Sequence, residues 1–197
     1  MWTDIHGYLE AYDRSLGWRA VCDIGMLALR DYETFGLLFG VRRQDYSPIA
    51  ARRGFPADAS RESRQAYQRY ARYDDVHSAT WVLWKEIAAI DWEAQARHLE
   101  AQGKRHIEWT DLEWEYLFTR LKRLIAEAEK RPRKKGITAV DWKELARELE
   151  RDLAERKKQG KLIDVPAPDW QTIFYLMKRL ANKYGPQHVR LVVWFDS

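Results

Sequence analysis

The stretch HVRLVVWFDS, residues 188–197, carries the clearest structural signal in the sequence. An unbroken apolar run extends from Leu191 to Phe195 and leaves no polar face of the kind that a solvated strand needs. Such a run is typical of a strand that is covered on both faces. We therefore expect this segment to form a strand in the interior of a β-sheet.

The N-terminal segment contains the expected partners of that strand. In DIHGYLEAYD, residues 4–13, apolar and polar residues alternate imperfectly, and WRAVCDI follows after the turn SLG. Two such runs joined by a short turn predict an antiparallel hairpin. A further strand is predicted for ATWVLW, residues 79–84. Together these segments predict an α+β fold, with a small antiparallel or mixed sheet made by the hairpin and the C-terminal strand and packed by helices.

Two helices are predicted beside the sheet. SRESRQAYQRYARYDD opens with Ser60, a residue type that caps helix N-termini. PAPDWQTIFYLMKRLANKYG ends at Gly185, a typical helix stop. Helical spacing in that second segment predicts a buried face made of Trp170, Ile173, Phe174, Met177 and Leu180.

Residues 93–165 differ in composition from the rest of the chain. Glu, Lys, Arg, Ala and Leu dominate there, and two long segments with apolar stripes are joined by RPRKKG, which predicts a helical hairpin. At 197 residues the chain fits one domain. We interpret 1–197 as a single α+β domain with 93–165 as a helical insertion, whose stripes favour self-association as a homo-oligomer or packing on the core.

Composition restricts the function without naming it. The formal net charge of +4 mildly favours anionic partners, and ten tryptophans and ten tyrosines fit a binding surface as well as a core. Cys22 is the only cysteine, which excludes an intrachain disulfide and a cysteine-based metal site. The start MWTDIHGYLE has no signal-peptide pattern, and no apolar run approaches the roughly 20 residues of a membrane span. We expect a cytoplasmic protein without membrane contact.

Four arginines within a dozen residues mark the candidate site. They lie in VRR, residues 41–43, and in ARRG, residues 51–54, on loops punctuated by Gly and Pro. Guanidinium groups bind phosphate through paired hydrogen bonds, and nearby aromatic rings offer stacking for a base. The alternative is a solvated charged loop, the commoner role of an arginine pair. The predicted ligand-binding residues are Arg42, Arg43, Tyr46, Arg52, Arg53, His77, Ser78, Trp81 and His6.

The segment DDVHSATWVLW, residues 74–84, raises the question of catalysis. His77 and His6 are the two early histidines, and a pair of imidazoles can act as general acid and base. The His-x-x-Thr spacing at 77–80 differs, however, from the repeated His-x-Thr/Ser of two-histidine phosphoesterases. We expect His77 to order the turn and bind the ligand without driving catalysis. No metal-binding, phosphate-loop or dinucleotide motif is present, so neither a metal nor a cofactor is predicted.

Several words of the sequence resemble an uncharacterised family of small proteins encoded by phages and prophages. They are DIHGYLE, FGLLFGVRR, PIAARRGFPADAS, DDVHSATWV and VRLVVWFDS, and the resemblance covers roughly residues 1–92 and 168–197. It implies no particular activity, fold or ligand. It does imply the setting of a phage accessory protein, a class that often disarms host defences, in the cytoplasm of the host cell.

The leading hypothesis is a phage-type accessory protein that sequesters a nucleotide-like, phosphate-bearing ligand. One alternative is a metal-independent phosphodiesterase that uses His6 and His77. A second is an inhibitor that binds a host protein through a Trp-rich surface or the helical insertion. Nucleic acid is a further conceivable partner because of the basic linker KRPRKKG, residues 130–136, but no recognition motif supports it.

Overall fold

The computed structural model describes residues 2–28, 31–43, 47–91 and 168–197, together with isolated positions between 94 and 158. These residues form a four-stranded antiparallel sheet with helices, which confirms the predicted α+β fold. The strands are β1 (Asp4–Asp13), β2 (Gly17–Asp23), β3 (His77–Leu83) and β4 (Val189–Asp196). The predicted helical hairpin at 93–165 lies almost entirely outside the described residues and stays a prediction.

The strand order is β2-β1-β4-β3, so the C-terminal strand lies in the interior of the sheet as predicted. Every residue of β4 from Val189 to Phe195 is buried, because strands flank it on both sides and packed layers cover both faces. Close pairing with β1 requires glycine at position 7, since a Cβ there would lie 2.1 Å from the carbonyl oxygen of Val192.

Helices cover both faces of the sheet. They are α1 (Tyr32–Phe39), α2 (Arg61–Tyr70), α3 (Trp84–Ile87) and α4 (Pro168–Tyr184), with short 3-10 helices at Ile24–Met26 and Pro186–His188. The predicted cap is confirmed, because the Ser60 side chain accepts a hydrogen bond from the Ser63 N–H at the start of α2. The predicted stop is also confirmed, since α4 ends immediately before Gly185.

The larger core lies on the sheet face covered by α1 and α4. Trp170 at the start of α4 packs against Phe35 and Phe39 of α1, and both phenylalanines also contact Phe195 of β4. The opposite face is covered by α2, whose Tyr67 and Tyr70 contact the buried Trp194 ring. We call these two surfaces the α4 face and the α2 face.

A buried ion pair lies on the α2 face, between β1 and β4. The Glu10 carboxylate accepts a hydrogen bond of 2.9 Å from Arg190 Nε, and the two residues are only 0% and 3% exposed. The second carboxylate oxygen of Glu10 accepts from the Ser60 N–H at 2.8 Å and the Ser63 hydroxyl at 2.6 Å. A β-bulge between Leu9 and Glu10 interrupts the pairing with β2 at this point. One carboxylate therefore joins the two central strands to the N-terminus of α2.

Replacing Glu10 by Gln should lower the free energy of unfolding by about 3–5 kcal/mol, because the Arg190 charge then stays buried without its main counter-ion. Urea unfolding followed by circular dichroism measures this loss. Glu33→Gln is the matched control, since the Glu33–Arg43 pair is half-exposed and should cost less than about 1 kcal/mol. Equal losses in the two variants would contradict a special role for the buried pair.

The sheet is built from residues 4–23, 77–83 and 189–196. We therefore expect a variant in which a short linker replaces residues 103–165 to keep a folded core. Differential scanning calorimetry of that variant should show one cooperative transition. Loss of the transition would mean that the replaced segment belongs to the core.

Candidate functional site

A groove of about 450 Å³ opens on the α2 face. This volume lies within the range of roughly 300–1,000 Å³ that is usual for small-molecule sites. Its walls come from β2, β3, β4 and the loop that precedes α2. We call it the aromatic groove; its lining residues are Trp18, Arg53, Phe55, Pro56, Ala57, Asp58, Trp81, Leu83, Gln187 and Arg190.

Indole rings and guanidinium groups alternate in the aromatic groove. The Arg190 guanidinium carbon lies 3.9 Å from the ring centre of Trp18 and 5.9 Å from that of Trp81. Arg53 lies 4.9 Å from the same Trp81 ring. At these separations the cations are attracted to the ring faces, so each group holds its neighbour in place. Both indoles are only half-buried, which leaves ring surface for a ligand.

One hydrogen-bond donor of Arg190, a residue of the groove lining, is buried without a partner among the described residues. Its Nε donates to Glu10 and its Nη1 to Asp58, each at 2.9 Å. Its Nη2 is buried and has no hydrogen-bond partner among the described residues. A buried donor without an acceptor costs about 1–3 kcal/mol, more when the group is charged. An acceptor brought by a ligand would relieve that cost.

Arg53, in contrast, is already bonded within the protein. Its two terminal nitrogens donate to both carboxylate oxygens of Glu86, at 2.7 and 2.9 Å. They also donate to the carbonyl oxygens of Ile49 and Trp81, at 2.6 and 3.2 Å. The guanidinium therefore fastens the 49–55 loop to β3 and α3, and its flat face supports the Trp81 wall of the groove.

Glu86 is held in its charged form by these contacts. Burial alone would raise the pKa of the carboxyl, but the hydrogen bonds from Arg53 and the Leu83 N–H and the Arg53 charge outweigh burial and lower it. The Leu83 N–H lies 2.9 Å from Glu86 Oε2. The Arg53–Glu86 link is thus a charged one at neutral pH.

A second group of polar residues lies at the edge of the α4 face, and we call it the polar cluster. His77 lies 2.9 Å from each of the Ser78 and Ser197 hydroxyls, and Ser197 lies 2.9 Å from the Thr3 hydroxyl, which Arg42 also contacts. Arg42 and Ser78 have positive φ angles of 65° and 53°, which non-glycine residues rarely adopt. The structure therefore brings three of the predicted site residues together here, away from the aromatic groove.

His6 and His77 lie on opposite faces of the sheet. His6 pairs with Trp194 and His77 with Phe195, and successive residues of a strand point to opposite faces. On the α2 face, His6 lies 3.0 Å from the Asp196 carboxylate, and its ring centre lies 4.2 Å from that of Tyr70 with the two planes tilted by 34°. This arrangement gives no support to a mechanism in which both imidazoles act on one substrate.

The other predicted residues are placed as follows. Arg43 is paired with Glu33 of α1. Arg52 is exposed, with a positive φ of 55°, and is not among the lining residues of the groove. Tyr46 lies outside the described residues. Of the eight predicted residues that the structure describes, Arg53 and Trp81 line the aromatic groove. Arg42, His77 and Ser78 lie in the polar cluster instead.

Most of the lining residues were not among the predicted site residues, and Trp18, Asp58 and Arg190 are the chemically important ones of these. Arg190 did carry a signal, because it interrupts the apolar run of β4 just as Glu10 interrupts YLEAY in β1. Charged residues inside buried strands are almost always paired, so two opposite charges in two such strands indicate a partnership. Nothing comparable marks Asp58, which reaches Arg190 from a loop 132 residues away.

Within the described ranges, no helix is both long and apolar enough to cross a membrane. In the same part of the chain, no three His, Cys, Asp or Glu side chains are grouped so that they would hold a metal ion. Comparisons with protein-family models, curated proteins and solved structures find no match to this chain. The assignment of function therefore rests on the chemistry of the groove.

The lowered pKa of Glu86 implies a pH-dependent contribution to the free energy of unfolding. Glu86→Gln should lower the free energy of unfolding at pH 7 by about 1–3 kcal/mol, because Arg53 loses a charged acceptor. A carboxyl whose pKa is lower in the folded state stabilises above its ordinary pKa of 4.5, and that stabilisation disappears as the pH falls through the lowered value. In urea unfolding from pH 7 to pH 3, the difference between wild type and variant should shrink below pH 4.5. A difference independent of pH would be contrary to this account.

Proposed function

We propose that the protein binds and sequesters a nucleotide-like, phosphate-bearing molecule in the aromatic groove. The observation that carries the proposal is the buried Nη2 of Arg190, a charged donor without a partner among the described residues. A phosphate oxygen is the acceptor that a guanidinium prefers besides carboxylate. Ligand binding at this point satisfies a group that the protein leaves unsatisfied.

The aromatic walls supply the second part of the recognition. Trp18 and Trp81 stand on either side of Arg190, and Phe55 lies in the loop that closes the groove. Any nucleobase can stack on such rings, because every base has an aromatic face. A base on an indole and a phosphate at Arg190 together fit a compact nucleotide.

Capture without turnover is the mode that the groove favours. Among the residues that the structure describes, the ten that line the groove include no histidine, serine, threonine or cysteine. Asp58 is the only carboxylate among them, and its two oxygens accept from Arg190 Nη1 at 2.9 Å and Trp18 Nε1 at 3.0 Å. These described lining residues therefore offer neither a nucleophile nor a free general base for hydrolysis.

The resemblance to phage-encoded proteins supplies the biological part of the proposal. An accessory protein that withdraws a signalling nucleotide in the host cytoplasm would blunt a host response without destroying the molecule. Inhibition of a host protein is less well supported. Among the described residues the exposed large hydrophobic side chains are Trp2, Leu16 and Tyr73. Trp2 precedes β1 and Leu16 follows its far end, about 30 Å away for a ten-residue strand, so these two do not share one patch.

Calorimetric titration with cyclic mono- and dinucleotides and ADP-ribose derivatives tests the proposal. Loss of one stacking ring in Trp81→Ala should weaken the binding of the best ligand about ten- to a hundredfold. Trp81→Phe, which keeps a ring, should retain most of the affinity. Trp2→Ala is the matched control, because that indole is 71% exposed and outside the groove.

The ligand should also be recovered intact after heat denaturation of the complex, as mass spectrometry of the released molecules would show. Binding that is indifferent to Trp81, or recovery of a hydrolysed product, would refute sequestration in this groove.

A further inference from the structure

The charges of the aromatic groove do not favour a strongly anionic ligand. Among its described lining residues, Arg53 and Arg190 carry guanidinium groups, and both are in direct contact with carboxylates. Glu86 binds Arg53, and Glu10 and Asp58 bind Arg190. Two positive charges therefore face three negative ones, which leaves this bonded set with one net negative charge.

A terminal phosphate is poorly matched to such a set. A phosphate monoester carries close to two negative charges at neutral pH and has three oxygens that seek donors. Of the donors on the two guanidinium groups that the structure describes, the buried one without a partner is Nη2 of Arg190. The second charge of a monoester would instead be repelled by the carboxylates around it.

A phosphodiester fits these charges and the one unpartnered donor better than a monoester does. It carries one negative charge, and one of its two unesterified oxygens can accept from Arg190 Nη2 while the bases lie on the indoles. We propose that the aromatic groove selects a phosphodiester-containing nucleotide, cyclic or internally linked, over the terminal monoester of the same base; this rests on the proposed function. The geometry behind the selection is the unpartnered Arg190 donor beside a carboxylate.

The Asp58 carboxylate is the group that repels the second charge of a monoester. Its carboxylate is 66% exposed although it is bonded to Arg190, and it lines the groove. Glu10 and Glu86, in contrast, are 0% and 27% exposed, so they act from behind the guanidinium groups. Removing the Asp58 charge should strengthen the binding of a monoester more than that of a diester, because the monoester carries the additional negative charge.

The test compares adenosine and guanosine 5′-monophosphates with their methyl phosphodiesters and with the free nucleosides. Each ester pair differs by one charge and one methyl group. Calorimetry on the wild-type protein at pH 7.5 should show at least about a tenfold preference for the diester of the preferred base. In Asp58→Asn the preference should fall to about threefold or less, mainly through tighter monoester binding. Asp74→Asn, which changes an exposed aspartate that is not among the lining residues, should leave the preference intact.

The outcomes separate the two proposals. Equal or tighter binding of the monoester by the wild-type protein overturns the diester inference and leaves the proposed function standing. Binding of neither ester overturns the diester inference, and the absence of binding by the cyclic nucleotides and ADP-ribose derivatives as well overturns the proposed function. Binding of the free nucleoside as tight as that of the diester also overturns the proposed function. The wild-type comparison stands alone if Asp58→Asn fails to fold. A preference unchanged in a folded Asp58→Asn protein overturns the role of Asp58.

Discussion

The Glu10 carboxylate and the Arg190 guanidinium meet in the middle of the sheet, where neither is open to water. A buried charge costs much free energy unless an opposite charge lies beside it. β1 and β4 therefore pair in the register that places Glu10 next to Arg190. The same carboxylate accepts hydrogen bonds from Ser60 and Ser63 at the start of α2. The same guanidinium donates a hydrogen bond to Asp58 in the preceding loop. Sheet register, helix position and groove wall all follow from this pair.

Much of the fold could be predicted because burial leaves a periodic trace in a sequence. The apolar run of β4 predicts an interior strand, and the alternation in residues 4–23 predicts a hairpin that pairs with it. Ser60 and Gly185 mark helix ends through local hydrogen bonding and local φ angles, which neighbouring residues determine. These features need no knowledge of distant contacts, so the sequence alone suffices for them.

The candidate site was less predictable because it depends on distant pairings. Arg53 has the local character of a phosphate ligand, but Glu86, 33 residues away, occupies its terminal nitrogens. His6 and His77 look like a pair until the register with β4 assigns them to opposite faces. Trp18 belongs to the groove only because β2 and β3 both place aromatic rings beside Arg190. A residue type predicts chemistry, whereas its neighbours decide whether that chemistry is available.

The central position of β4 also bears on how the protein is made. Glu10 leaves the ribosome 180 residues before its partner Arg190. At roughly 5–20 residues per second, about 10–40 s separate the two during synthesis. Throughout that interval the β1 edge that β4 will cover stays open on the nascent chain, a form of strand edge that pairs readily with other chains. The edge is covered only when translation reaches β4, the strand that completes the sheet.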